Sequence, residues 1–131
     1  MSEIITTVKL TNYFDIRLKE ANIRSVEMDC VIDPDEVALI LPERVADQLG
    51  LLVSRKQTHW HPNGKNESLA VTYSVLVELA GRRTSEEAVI CGNQIRIGKT
   101  ILAKTDLHID LPNQRLIPNP AHPDQPIIKV R

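Results

Sequence analysis

Aromatic side chains are scarce in this chain of 131 residues, with one Phe, one Trp and two Tyr. Any core must therefore be aliphatic, and the abundance of Val, Ile and Leu favours sheet. Cysteine is rarer still, with two residues. Cys30 and Cys91 both lie on apolar runs, so two buried, reduced thiols are expected rather than a disulfide. Long hydrophobic runs are missing, and none follows Met1-Ser2-Glu3, so neither a secretory leader nor a membrane span is expected and the cytoplasm is the default compartment. Outside secretion, the glycosylation form of Asn66-Glu67-Ser68 has no meaning. An excess of one charge is absent too: the net charge is −1 and Lys and Arg are scattered. No basic face results, which argues against a nucleic-acid partner. With only five glycines there is no phosphate-cradling loop, and no Ser-His-Asp or Cys-His signature is present.

What is there organises around residues 26–51. Val26, Met28, Cys30 and Ile32 alternate with Glu27 and Asp29, the period of a half-buried strand that delivers Asp33 into a turn. Asp33-Pro34-Asp35-Glu36 breaks the pattern, because Pro34 has no N–H and a fixed φ. Val37–Leu41 is continuously apolar, as a buried strand would be. Pro42 stands where a first helical residue belongs, Val45, Ala46 and Leu49 share one face, and Gly50 is placed to close the helix in a left-handed cap.

Around this centre the chain reads mostly as strand. Glu3–Leu10 is β-branched and suits an edge. Residues 12–23 are ambiguous: Phe14, Leu18 and Ala21 fit a helix capped by Asn12, whereas Phe14, Ile16 and Leu18 alternate as a strand would, and the helix formers Arg17 to Ala21 favour the helix. Leu51–Trp60 is a strand, and Asn63-Gly64 is a strong hairpin signal. Leu69 to Leu79 alternates as one long strand. A turn at Ala80–Arg83, a strand over Thr84–Cys91, a turn at Gly92-Asn93 and a short strand over Gln94–Ile97 follow. A turn or two of helix covers Thr100–Lys104, and Leu107–Leu111 with Gln114–Ile117 make a hairpin around Pro112-Asn113. Length allows one core, so residues 1–120 are read as a single domain and 121–131 as a Pro-rich extension. Its prolines force extended surface chain, and Ile127, Ile128 and Val130 would gain by pairing with the body or with a second subunit.

The order strand, Asp-centred turn, short apolar strand, Leu41-Pro42-Glu43 and a short helix ending Leu49-Gly50-Leu51 resembles the active-site segment of retropepsin-like aspartic proteases, whose turn reads Asp-Thr-Gly-Ala. This chain keeps the aspartate as Asp33 and has Pro34, Asp35 and Glu36 at the next three positions. Arg96-Ile97-Gly98-Lys99-Thr100-Ile101-Leu102 is similar to the family's late block, with Arg96 where an apolar residue is usual. The resemblance covers residues 26–120. It implies a mostly β fold, a closed or nearly closed barrel with one or two short helices. It also implies a homodimer, in which Asp33 faces its twin and the two carboxylates share a proton to activate water. The hairpin tip would be a flap over an extended peptide or protein ligand, with Trp60, His61, Asn63 and Gly64 as its binding residues. No cofactor or metal is implied.

The turn's own residues leave the chemistry open. Pro34 has neither the hydroxyl nor the N–H of threonine, and Asp35 adds a β-carbon and a charge where glycine allows close approach. Six carboxyl groups would gather at the axis of a dimer, which requires an open loop, shared protons or a bound cation. Three readings therefore stand: a working aspartic peptidase, an inactive member that binds a peptide or partner strand, and a hard-cation site at the acidic turn. His59 and His61 on one strand face could hold zinc if a third ligand arrived, but a solvated hairpin tip explains them as well.

Overall fold

The computed structural model describes residues 3–128. β1 (Ile4–Asn12) runs straight into α1 (Tyr13–Arg17), where the Asn12 side chain accepts the N–H of Asp15 as the expected cap. The helix stops well short of residue 23. The Asp15 carboxylate draws the chain back by accepting the N–H of Arg24 at 2.9 Å and its guanidinium at 2.8 and 2.9 Å, and those bonds hold it down to a pKa of about 2. β2 (Ser25–Ile32) pairs antiparallel with β1 through eight residues, Ile4 opposite Ile32 to Thr11 opposite Ser25. β3 (Leu39–Leu41) leads to α2 (Glu43–Leu49). Pro42 is the cap of α2 rather than its first residue, its carbonyl accepting from Val45 and Ala46, and Gly50 closes the helix at φ 61°.

β4 (Val53–Trp60) and β5 (Asn66–Thr72) form the hairpin that the Asn63-Gly64 pair predicts. The long strand expected over 69–79 is two strands, β5 and β6 (Val75–Leu79). At the corner between them, the hydroxyl of the buried Thr72 donates to its neighbour's carbonyl and accepts the N–H of Ala88. A bend that keeps the alternation leaves no trace in a period of two. The return strand breaks likewise, into β7 (Arg82–Glu86) and β8 (Ala88–Ile90), with Glu87 at the break. β9 (Arg96–Ile97), α3 (Lys99–Thr105), β10 (Leu107–Asp110) and β11 (Arg115–Pro118) complete the chain.

Among the described residues the main sheet has nine strands, in the order β4-β5-β8-β3-β9-β2-β1-β6-β7, and β10 and β11 pair apart from it. The sheet is open, with β4 and β7 at its ends, so the closed barrel expected from the resemblance is not what the strand pairing describes. One bent hairpin, β5-β6 running up and β7-β8 running back, supplies strands to both arms of the sheet. The two arms therefore curl round one core, which joins Val8, Leu10, Leu39, Leu41, Val75, Val77, Ile97 and Ile101. β1 is not an edge, because β6 adds to its second half, Lys9 to Asn12, on the side away from β2. α3 lies against the β7 end, where Lys104 Nζ donates to the Ser85 carbonyl.

Beyond β11 the Pro-rich segment is not the extended chain expected: it turns after Asn119, where the His122 N–H donates to the Asn119 carbonyl, bends through Gln125, and is pinned to the body. The buried Arg82 guanidinium donates to the carbonyls of Thr105, Asp106 and His122. Asp106 accepts from Asn119 Nδ2 at 3.0 Å, from the Ile127 N–H at 3.1 Å and from His122 Nδ1 at 2.7 Å, and is held down to a pKa of about 2 by those partners in that order. The Ile127 and Ile128 side chains stay half exposed, so the body does not cover them although the Ile127 N–H is tied to Asp106, and Val130 lies outside the described residues.

Candidate functional site

β9 enters the sheet between β2 and β3, parallel to β2 and antiparallel to β3. The acidic turn is thereby tied to the late block. The N–H of Asp33 donates to the Ile97 carbonyl at 2.9 Å, and the N–H groups of Lys99 and Thr100 donate to the carbonyls of Glu36 and Val37. Gly98 sits so close to the turn that a β-carbon there would lie 2.5 Å from the carbonyl oxygens of both Glu36 and Ala38. That contact explains the glycine as backbone geometry. The same anchoring shortens β3. Val37 was expected inside the strand, yet with its carbonyl given to Thr100 and its N–H to the Glu36 carboxylate it is 61% exposed.

Within the turn, Asp33 has two partners. Its Oδ1 accepts the N–H of Asp35 at 3.1 Å, so the close approach expected to need glycine survives with aspartate in place. Its Oδ2 accepts from Arg96 Nη1 at 3.1 Å, and Arg96 also reaches Glu3 and Gln94. The carboxylate of Glu36 turns back on the N–H groups of Val37 and Ala38. Pro34 and Asp35 are exposed. A cleft of about 190 Å³ opens beside Asp33, with Arg96 and Asp35 at its rim and Ile4, Ile109 and Leu111 along its walls. The carboxylates of Asp33 and Glu36 have separate partners, and among the described residues no three His, Cys, Asp or Glu side chains are arranged to hold a metal ion. No helix among those residues is long and apolar enough to cross a membrane.

The β4-β5 hairpin stands at the end of the sheet, and none of the residues from Val53 to Ser68 is buried. Its register sorts the predicted flap residues. Residues directly opposite share a face, so Arg55 with Val71, Gln57 with Leu69 and His59 with Glu67 form one face, while Trp60 with Asn66 lies on the other. Leu69 and Val71 pack on Val89, Ala38, Ile40 and Cys91, which makes theirs the inner face. Trp60 is therefore on the outer face and 75% exposed. It neither packs under its own hairpin nor faces the groove. His61 Nε2 contacts Glu67 at 2.9 Å, Asn63 Oδ1 accepts the N–H of Lys65, and Gly64 takes φ 85° to donate to the His61 carbonyl. Those three residues build the hairpin tip.

The inner face also carries residues that the sequence did not single out. Arg55 pairs with Glu87 through bonds of 2.6 and 3.2 Å, and a cleft of about 170 Å³ lies between Arg55, Gln57, Val37, Ala38 and Thr100. The half-buried Cys91 thiol is pushed up, first by burial and then by the charges of Glu67 and Glu36. Cys30, buried in the main core, is pushed up to about 12 by desolvation. Both thiols are free, as expected, although Cys91 is less buried than its apolar run suggested. Charge near Asp33 comes from Arg96, which is 63 positions away in sequence and whose role no local pattern signals.

Compared with protein-family models and with curated proteins, the chain gives no match.

Proposed function

We propose that this chain is a homodimeric relative of the retropepsin-like fold that binds an extended peptide or partner strand and no longer cleaves it. One observation carries the reading: the Asp33 carboxylate is engaged by Arg96 of its own chain at 3.1 Å. An aspartic peptidase needs two carboxylates sharing one proton, and a guanidinium bonded to Oδ2 competes with such a partner. Pro34 adds to this, since it has no hydroxyl to bridge two subunits. The binding half of the reading is supported by the hairpin that lacks buried residues along most of its length, and by the cleft beneath its base, next to the exit of the acidic turn.

Incubation with β-casein from pH 3 to 7 tests the proposal. No cleavage is expected from the native chain, while fluorescence anisotropy reports binding that survives Asp33→Asn. Cleavage that disappears in Asp33→Asn would overturn the reading. In a triple variant, Pro34→Thr with Asp35→Gly and Arg96→Leu, cleavage is expected to emerge if the turn alone is the defect. Sedimentation that gives a strict monomer removes the homodimer from the proposal.

The peptidase reading keeps one observation of its own. The Asp35 N–H still reaches Asp33 Oδ1, so the turn preserves the bond that orients the carboxylate.

A further inference from the structure

At the α1 end of β1 a cleft of about 690 Å³ opens between α1 and the segment that leaves α2. Phe14, Leu18 and Leu52 wall it, and Leu18 is 67% and Leu52 62% exposed. Tyr73, also exposed, continues the apolar surface: its ring meets Phe14 edge to face at 5.4 Å, and its N–H donates to the Leu52 carbonyl. Two of the chain's four aromatic rings therefore stand on one open face. The floor beneath is fixed. Buried Asp15 holds the Arg24 guanidinium with both oxygens, Asn12 Nδ2 donates to the Leu49 carbonyl, and the guanidinium lies so close over Gly50 that a β-carbon there would overlap it. A contiguous, exposed apolar surface on a fixed base suits a protein contact, since little order is lost when it is covered.

The rim identifies the occupant. Arg24 is taken by Asp15, whereas Lys19 and Glu20, adjacent, exposed and of opposite sign, have no ion-pair partner among the described residues. A rim of one sign would repel its own copy and call for an oppositely charged partner. A two-fold contact instead brings each residue to the same patch on the other copy, and needs both signs side by side. We propose that this face docks a second copy of the chain about a two-fold axis, with Phe14, Leu18, Leu52 and Tyr73 packing on their equivalents and Lys19 of each copy meeting Glu20 of the other. The face lies at the opposite end of β1 from Ile4, which stands across from Ile32 beside Asp33, so about 25 Å of strand separates the two. The contact is thus distinct from any pairing through the Asp33 corner, and the inference stands whether or not the hairpin binds a peptide.

Sedimentation equilibrium of five full-length proteins tests it: native, Leu18→Asp, Lys19→Glu, Glu20→Lys, and the double variant that exchanges Lys19 and Glu20. Thermal melts show that each is folded, as expected for substitutions at three exposed positions. The native chain is expected to self-associate, and Leu18→Asp to weaken association about thirtyfold, since the charge enters the contact twice. Each single charge reversal is expected to weaken it about tenfold, and the exchanged pair to recover most of that loss, because the two signs trade places across the axis. A native monomer overturns the inference together with the homodimer proposed above. A native dimer that Leu18→Asp leaves whole overturns the inference alone, and that homodimer then stands through another surface. An exchanged pair as weak as the single variants overturns the match of Lys19 with Glu20, and with it the two-fold contact. Where both surfaces pair, the native chain forms a tetramer that Leu18→Asp reduces to a dimer, which supports the inference.

Discussion

Two aspartates sit at tight turns beside an arginine, and their surroundings differ in kind. Asp106 has three donors on its carboxylate, from Asn119, His122 and the Ile127 backbone, and Arg82 is buried against the carbonyls around it. Asp33 has two donors, the Asp35 N–H and one arm of a half-exposed Arg96, and opens on a cleft. The first corner spends its carboxylate on holding the tail against α3 and β7. The second holds its shape through backbone instead, with Gly98 packed on the carbonyls of Glu36 and Ala38, and its carboxylate has only the Asp35 N–H and Arg96 as partners. Fixing a corner through its carboxylate and fixing it through its backbone are alternative designs, and this chain contains both.

The largest effect should come from disturbing the backbone of the Asp33 corner. Gly98→Ala drives a β-carbon to 2.5 Å from two carbonyl oxygens, and urea unfolding should report a loss of about 3 kcal/mol. Next comes the Asp106 corner. Its folded pKa of about 2 lies below the ordinary carboxylate value, so it adds stability above that ordinary value and loses it as pH falls towards 2. Asp15 behaves in the same way. Melting temperature should therefore drop between pH 4 and pH 2. In Asp106→Asn it should start lower at neutral pH and fall less over that interval. If the two curves run parallel, Asp106 is not the group that the acid limb reports.

Breaking the Arg96 pair should cost far less. Arg96→Leu is expected to change stability by no more than about 1 kcal/mol, because the pair is partly exposed and Arg96 is shared with Glu3 and Gln94. A loss as large as that of Gly98→Ala would mean that the two corners are not different designs after all. Smallest of all is Trp60→Ala, which should move stability by less than about 0.5 kcal/mol, since the ring is on the outer face of the hairpin.

Much of this was legible in the residues. The acidic turn, the short helix closed by Gly50, the Asn63-Gly64 hairpin and the strand content each follow from local pattern, and each is found. What was not legible depends on pairing between distant strands. Nothing near Asp33 announces Arg96, because their contact exists only after β9 enters between β2 and β3. Trp60, expected at the groove, faces outward because β4 carries no apolar alternation, and only the packing of Leu69 and Val71 decides which face turns inward. The bend at Thr72 escaped for a related reason: alternation persists through it, while the hydrogen-bond partners change.

The late arrival of β9 also sets an order of events. A chain emerging during synthesis carries both walls of the Asp33 corner long before the two residues that join them, Arg96 and Ile97. Until those residues appear, β2 and β3 face an empty slot with their backbone groups unspent, and closing it means bringing together segments some sixty positions apart. Sheet proteins dominated by such distant pairings fold slowly, on the order of milliseconds to seconds. The corner that carries Asp33 thus cannot close until Ile97 has been made, and until then a growing polypeptide exposes the facing edges of β2 and β3.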